Sequence, residues 1–268
     1  MKKINVLIFL TFSALISFSV RSSISEELSQ GLVIDPWVQP FYQKAQNQKN
    51  RGELLESRKA YLDIIAQHPN ASNIQKLQEE LWGLNVAIIF SPLETHQTEM
   101  YTIEPGDTLG KIAHKFGTTI ELIKRRNHLE TNRIIAGQKL SVWLGAFTIT
   151  IDKSDNTLTL KNGEETVKVY PVSTGKNNSS PAGQFTIKDR YADPVWFHKG
   201  DVVSANDPKN FLGTRWLGFD LPKYGIHGTI EPEQIGKQVS SGCIRMRNED
   251  VQEIYDLVPI GTRVAIVE

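Results

Sequence analysis

The sequence predicts a multidomain chain: an α-helical hairpin, then a small βααβ module, then a mainly-β domain. Three observations predict it. Apolar residues recur at spacings of three and four between Leu54 and Ile88. A polar stretch without periodicity, Ser91 to Met100, follows and contains Pro92. From Phe147 the apolar period changes to two.

The first segment, Met1 to Ser23, carries Lys2 and Lys3, an apolar run from Ile4 to Val20, and then Arg21-Ser22-Ser23. This pattern reads as an export signal over residues 1–23. The run is short for a bilayer span, which needs about 20 sustained apolar residues. The expected location is therefore the periplasm or cell envelope, with an uncleaved N-terminal anchor as the alternative.

Residues 24–97 hold the helical region and a linker. Leu54, Leu55, Arg58, Tyr61, Leu62 and Ile65 form one helical face, and Ile74, Leu77, Leu81, Leu84 and Ile88 form a second. His68-Pro69-Asn70-Ala71-Ser72 breaks them apart. The pair looks like one tetratricopeptide-type unit, and a lone unit cannot bury both faces. A packing or spacer element is expected.

Residues 98–145 form the small module. YTIEPGDTL is extended, with a turn at Pro105-Gly106-Asp107, and Asp107 or Thr108 caps a helix bearing Leu109, Ile112, Ala113 and Phe116. Gly117 ends that helix, Thr118 or Thr119 caps another through Ile120, Leu122 and Ile123, and AGQKL leads into a strand. The whole stretch resembles a LysM module. The resemblance implies a peptidoglycan ligand, its N-acetylglucosamine chain lodged between two loops: Gly106, Asp107, Thr108 and Leu109 on one side, Ile134, Ile135 and Ala136 on the other.

Residues 146–268 begin with FTITID and TLTLKNGEETVKVY, where Asn162-Gly163 marks a two-residue hairpin turn. Pro171 to Gly175 is expected to continue that strand, and helical periodicity returns only at Asn248 to Leu257. His198, within WFHKGD, reads as a solvated loop residue.

Lysine plus arginine equal aspartate plus glutamate at 30 each, and no long run of one sign is present. A nucleic-acid backbone or an anionic bilayer is thus not an expected partner. Protein partners are not indicated, and neither a metal nor an organic cofactor is implied.

Cys243 is the single cysteine. In an exported chain it forms no intramolecular disulfide, so it is either a small buried hydrophobe or a working thiol. Tyr224-Gly225-Ile226-His227-Gly228-Thr229 and Ser240-Ser241-Gly242-Cys243-Ile244-Arg245-Met246 place an imidazole and a thiol sixteen positions apart, both flanked by glycine. An imidazole that takes the thiol's proton leaves a strong nucleophile. Ser240 is the expected orienter of that imidazole, through its hydroxyl or carbonyl. Backbone N–H groups of Gly242 and Cys243 are expected at an oxyanion, with Gly228 widening the same mouth.

IHGT and SSGCIRM, with STGK and SPAGQF upstream, resemble the L,D-transpeptidase (YkuD-like) catalytic domain over roughly residues 147–268. The resemblance implies Cys243 as nucleophile, His227 as base and Ser240 as third member, acting on a wall tetrapeptide stem with release of terminal D-alanine. An amine of a second stem then gives a 3-3 cross-link. Water (L,D-carboxypeptidase) or a protein amine (attachment of protein to the wall) uses the same acyl-enzyme. Ser241 stands where many members carry histidine. Arg245 matches the family's arginine, able to grip a stem carboxylate in a bidentate fork or to serve a structural ion pair. Gly228, Tyr224 and Trp216 are further candidates for the substrate groove, with core packing as their alternative. A reading of another class is a non-catalytic peptidoglycan-binding protein.

Overall fold

The computed structural model describes residues 34–198 and 200–268. The predicted export signal lies outside them, as does the side chain of His198. Among the described residues no helix is long and apolar enough to cross a membrane.

The helical region has three helices, α1 (Gln39–Asn50), α2 (Leu54–Gln67) and α3 (Ile74–Phe90). The expected hairpin is α2 with α3, and α1 is the addition. Its sequence is largely polar and Ala45 is its buried residue, so it carries no apolar period to read. Polar bonds dock it instead: Ser57 Oγ donates to the Ala45 carbonyl at 2.8 Å, and Gln46 Nε2 to Tyr61 Oη at 2.7 Å. Val38, Ala45, Tyr61, Ile64, Leu77 and Leu84 close this core.

In the small module β1 (Thr98–Thr102) pairs antiparallel with β2 (Lys139–Trp143) around α4 (Leu109–Phe116) and α5 (Ile120–Arg126). Of the alternative caps, Thr108 and Thr119 accept the N–H of Lys111 and Leu122, and Gly117 ends α4 in the left-handed region at φ 62°.

The C-terminal domain adds β3 (Phe147–Asp152), β4 (Thr157–Asn162), β5 (Glu165–Pro171), β6 (Thr174–Gly175), β7 (Gly183–Ala192), β8 (Trp196–His198), β9 (Asp201–Val203), β10 (Arg215–Phe219), β11 (Gly225–His227), β12 (Gln238–Ser240), β13 (Ile244–Arg245), α6 (Asn248–Leu257) and β14 (Arg263–Val267). The main sheet runs β13-β11-β10-β7-β14-β3-β4-β5. Long β7 serves both halves: its pairing with β14 runs to Thr186, and its pairing with β10 starts at Ile187. The strand expected through Gly175 instead stops at Pro171, and β6 pairs in parallel with β12. That switch brings the STGK segment beside Ser240.

Ile149, Leu158, Ile187, Leu217, Ile226 and Ile244 of the sheet pack with Val251, Ile254 and Leu257 of α6. Val86 and Ile89 of α3, Leu122 of α5 and Trp143 of β2 join the same cluster, so the three parts share one apolar core. Arg126 is fully buried at their junction. Its guanidinium donates to the Leu93 carbonyl at 3.0 Å, to Ser141 Oγ at 2.8 Å and to carbonyls ending α3. A cation at a helix C-terminus is favourable, while burial away from water lowers its pKa to about 10.

Candidate active site

The site begins with two short parallel strands. β11 and β13 pair Ile226 with Ile244 and His227 with Arg245. Side chains alternate across a strand, so Ile226 and Ile244 enter the core while His227 and Arg245 share the other face. Cys243 lies in the turn that enters β13. The positive charge of Arg245 acts on both the imidazole and the thiol.

His227 is buried, at 4% exposure, and desolvation holds its pKa down to about 4. Nδ1 lies 2.7 Å from the Gly228 carbonyl. A carbonyl only accepts, so Nδ1 carries the proton and Nε2 the lone pair. Trp216, cross-strand from His227, stacks on the imidazole with centroids 5.9 Å apart, and its Nε1 donates to Asp189 Oδ1 at 2.8 Å. A Cβ on Gly225 would lie 2.9 Å from the Trp216 ring and 2.5 Å from the Leu217 carbonyl, which is why that position is glycine.

The Cys243 thiol is half-buried, and burial pushes its pKa up. It donates to the Lys223 carbonyl at 3.4 Å. Lys223 holds a left-handed φ of 73°, a conformation unusual for a non-glycine residue. The resting pair is therefore a neutral thiol and a neutral imidazole.

Three expected roles change. Ser240 Oγ donates to the Cys243 carbonyl at 2.6 Å and accepts the Gly242 N–H at 3.0 Å, so it knots the 240–243 turn; the Gly228 carbonyl holds the imidazole instead. The Gly242 N–H, thus engaged, is not turned toward an oxyanion. Gly242 is glycine because φ is 127° and a Cβ would lie 2.7 Å from the Tyr224 ring. Tyr224 backs that turn, and Trp216 backs the imidazole. Gly228 does not widen a mouth: a Cβ there would meet Asn248 Oδ1 at 2.1 Å. Arg245 is paired with Glu231 at 3.1 Å.

Three supporting residues went unread. Asn248 Oδ1 accepts the N–H of Thr214 at 3.1 Å and of Thr229 at 3.3 Å, while its Nδ2 donates to the Thr229 carbonyl at 2.9 Å. Asp189 holds Trp216. Ser180 Oγ donates to the Gly242 carbonyl at 2.9 Å. Ser180 lies in the SPAGQF motif, the one signal that pointed near it; Asn248 and Asp189 carried none.

In the small module the β1–β2 pairing continues just beside the two predicted loops: the Ile103 N–H donates to the Gln138 carbonyl at 2.9 Å and the Gly137 N–H to the Ile103 carbonyl at 2.8 Å. Gly106 turns at φ 89° and Ile135 is 74% exposed. Asp107 Oδ2 accepts from Tyr101 Oη at 2.7 Å and from the Glu104 N–H at 2.9 Å. The Glu104 and Tyr101 bonds hold its pKa below the usual carboxylate range. Ile134 and Ala136 lie on the second loop, Ile134 half-buried against the module core and Ala136 exposed. Leu109 is the exception: it sits in that core, not on a groove.

Comparison with known proteins fits this layout. Residues 146–266 match the YkuD L,D-transpeptidase catalytic domain, and residues 101–143 match the LysM domain. A protein named as an L,D-transpeptidase, YkuD, from Bacillus licheniformis is 37% identical over 175 residues, 62% of this chain and 98% of that protein. The Bacillus subtilis protein of the same name is 35% identical over 173 residues, 62% of this chain and 97% of its own length. Among solved structures, an L,D-transpeptidase from Mycobacterium smegmatis aligns with a TM-score of 0.40 and 19% identity over 50% of this chain and 65% of that one.

Proposed function

The chain belongs to the L,D-transpeptidase (YkuD) family, and on that premise we propose that it forms 3-3 cross-links between peptidoglycan stems by cysteine acyl transfer. The carrying observation is the neutral, tautomer-defined His227 opposite Arg245, with Cys243 in the turn that enters β13 and the Arg245 charge acting on both groups. Nε2 of His227 takes the thiol proton as Sγ bonds to the carbonyl carbon at the third stem residue. The tetrahedral oxyanion is met by the Cys243 N–H. Collapse expels terminal D-alanine, whose amine receives the proton from His227. An amine of a second stem then attacks the thioester and regenerates the thiol. Arg245 exchanges Glu231 for a stem carboxylate.

The domains divide at residues 97/98 and 145/146, after an export signal over 1–23, and the enzyme works in the cell envelope. Gly106 to Thr108 with Ile134 to Ala136 bind the glycan. Water and a protein amine remain competing acceptors on the same thioester. Incubation with a carbapenem followed by mass spectrometry tests the reading: wild type is expected to gain a covalent adduct on Cys243 that Cys243→Ala lacks, and a tetrapeptide is expected to release D-alanine. No adduct and no D-alanine would favour a non-catalytic wall-binding protein.

A further inference from the structure

The Gly242–Cys243 peptide unit joins two groups of interest. Its carbonyl oxygen belongs to Gly242, and its N–H belongs to Cys243. In a planar trans peptide these point in opposite directions, so whatever grips the carbonyl aims the N–H. Ser180 Oγ grips it, donating at 2.9 Å.

Ser180 is itself fixed on every side. It is 2% exposed. Its Oγ accepts the Gly175 N–H at 2.8 Å, which leaves the hydroxyl proton for Gly242. Its carbonyl accepts Lys153 Nζ at 3.2 Å; that ammonium, 3% exposed, is balanced by Glu268 Oε1 at 2.8 Å. A Cβ on Gly175 would lie 2.3 Å from Ser179 Oγ and 2.5 Å from the Ser180 N–H nitrogen, so the glycine of STGK permits this approach. On the other side of the turn, Ser240 Oγ takes the Gly242 N–H. Ser240 Oγ also donates to the Cys243 carbonyl, so the peptide units on either side are held as well, and the Cys243 N–H is the end left free.

Resting on the acyl-transfer reading above, we infer that Ser180, braced by Lys153, is a positioning residue that aims and polarises the Cys243 N–H as the oxyanion donor. As Sγ bonds to the substrate carbonyl carbon, the C=O π pair moves onto oxygen and meets that N–H. A donated hydrogen bond on the far end of the same peptide strengthens it as a donor. The role differs from thiol activation, because substitution at an alkyl halide forms no oxyanion.

That difference supplies the test. Ser180→Ala and wild type are compared in two reactions of Cys243: alkylation by iodoacetamide, and acylation by a carbapenem. Ser180→Ala is expected to slow acylation by about 10- to 100-fold, less than the about 10²–10³ of deleting an oxyanion donor outright, with alkylation unchanged within about twofold. With tetrapeptide, kcat falls and KM holds. Ser180→Cys, of similar volume but a weaker donor, falls between, and peptide mass assigns each adduct to Cys243; it carries the test if Ser180→Ala does not fold. Equal losses in both reactions, or a loss in neither, overturn the inference and leave the acyl-transfer reading intact. A wild type that is alkylated but never acylated by carbapenem or tetrapeptide overturns both.

Discussion

His227 has two neighbours that define it chemically, the Gly228 carbonyl and the Trp216 ring. Burial keeps it neutral near pH 7, so its folded pKa, about 4, lies below the ordinary 6.5. The unfolded chain takes up a proton as pH falls through 6.5 and the folded one does not until about 4. Stability from this group is therefore present above pH 6.5 and lost as pH falls toward 4, by up to roughly 3 kcal/mol. Denaturant midpoints measured across that window should fall, and His227→Gln should flatten the slope. Burial acts on the thiol in the opposite sense. Iodoacetamide alkylation should accelerate only above the ordinary thiol range of about 8.5; an inflection at pH 6 to 7 would mean a preformed thiolate–imidazolium pair instead.

At the scale of elements, the N-terminus of α6 does more than cap a sheet. Asn248 ties the exit of β11 to the loop entering β10, and Gly213 and Gly228 are glycines because its amide lies between them. The Gly228 carbonyl that orients His227 belongs to the peptide Asn248 holds against Thr229. Asn248→Ala should cost about 1–3 kcal/mol, since three part-buried backbone groups lose a partner, and should lower kcat/KM for tetrapeptide more than KM alone explains. Asn248→Asp keeps both accepted bonds and should recover part of the loss. The βααβ module was readable for a local reason: Thr108, Thr119 and Gly117 are caps, and a cap acts within one turn of its own helix. Helix α1 was not, because it docks through its own Ala45 carbonyl and Gln46 amide, which meet the Ser57 and Tyr61 hydroxyls of α2.

Across the whole molecule, the LysM module is docked on the C-terminal domain. Arg125 pairs with Asp256 at 3.0 Å, Arg190 with Glu121 at 3.3 Å, and Thr119 Oγ1 donates to the Asp256 carbonyl. Leu122 and Trp143 lie in the shared core. Residues read as a free linker are engaged as well, Leu93 by Arg126 and Gln97 by Asn162 Nδ2 at 2.8 Å. Calorimetry should therefore show one unfolding transition, not a separate one for the module. Arg126→Met takes the guanidinium partner from the Ile89 and Leu93 carbonyls and should lower that transition, with a cost of about 1–3 kcal/mol per group left bare.

The candidate thiol and imidazole were legible because each sits beside a glycine in a short motif, and those glycines fall where side chains do not fit. Strand alternation, the Asn162-Gly163 turn and the module's caps were legible because each is decided by neighbours along the chain. The sequence alone thus determined the family resemblance and the order of the parts, helices, LysM module and mainly-β domain. Which group holds which was decided only by tertiary structure. Ser240 turned from the imidazole to its own turn, the Gly228 carbonyl took its place, and Ser180, sixty-two positions before Gly242, came to hold that residue's carbonyl. The reason is physical: a buried polar group takes whichever partner the packing delivers, and a parallel pairing such as β6 with β12 joins segments whose separation in sequence predicts nothing about their contact.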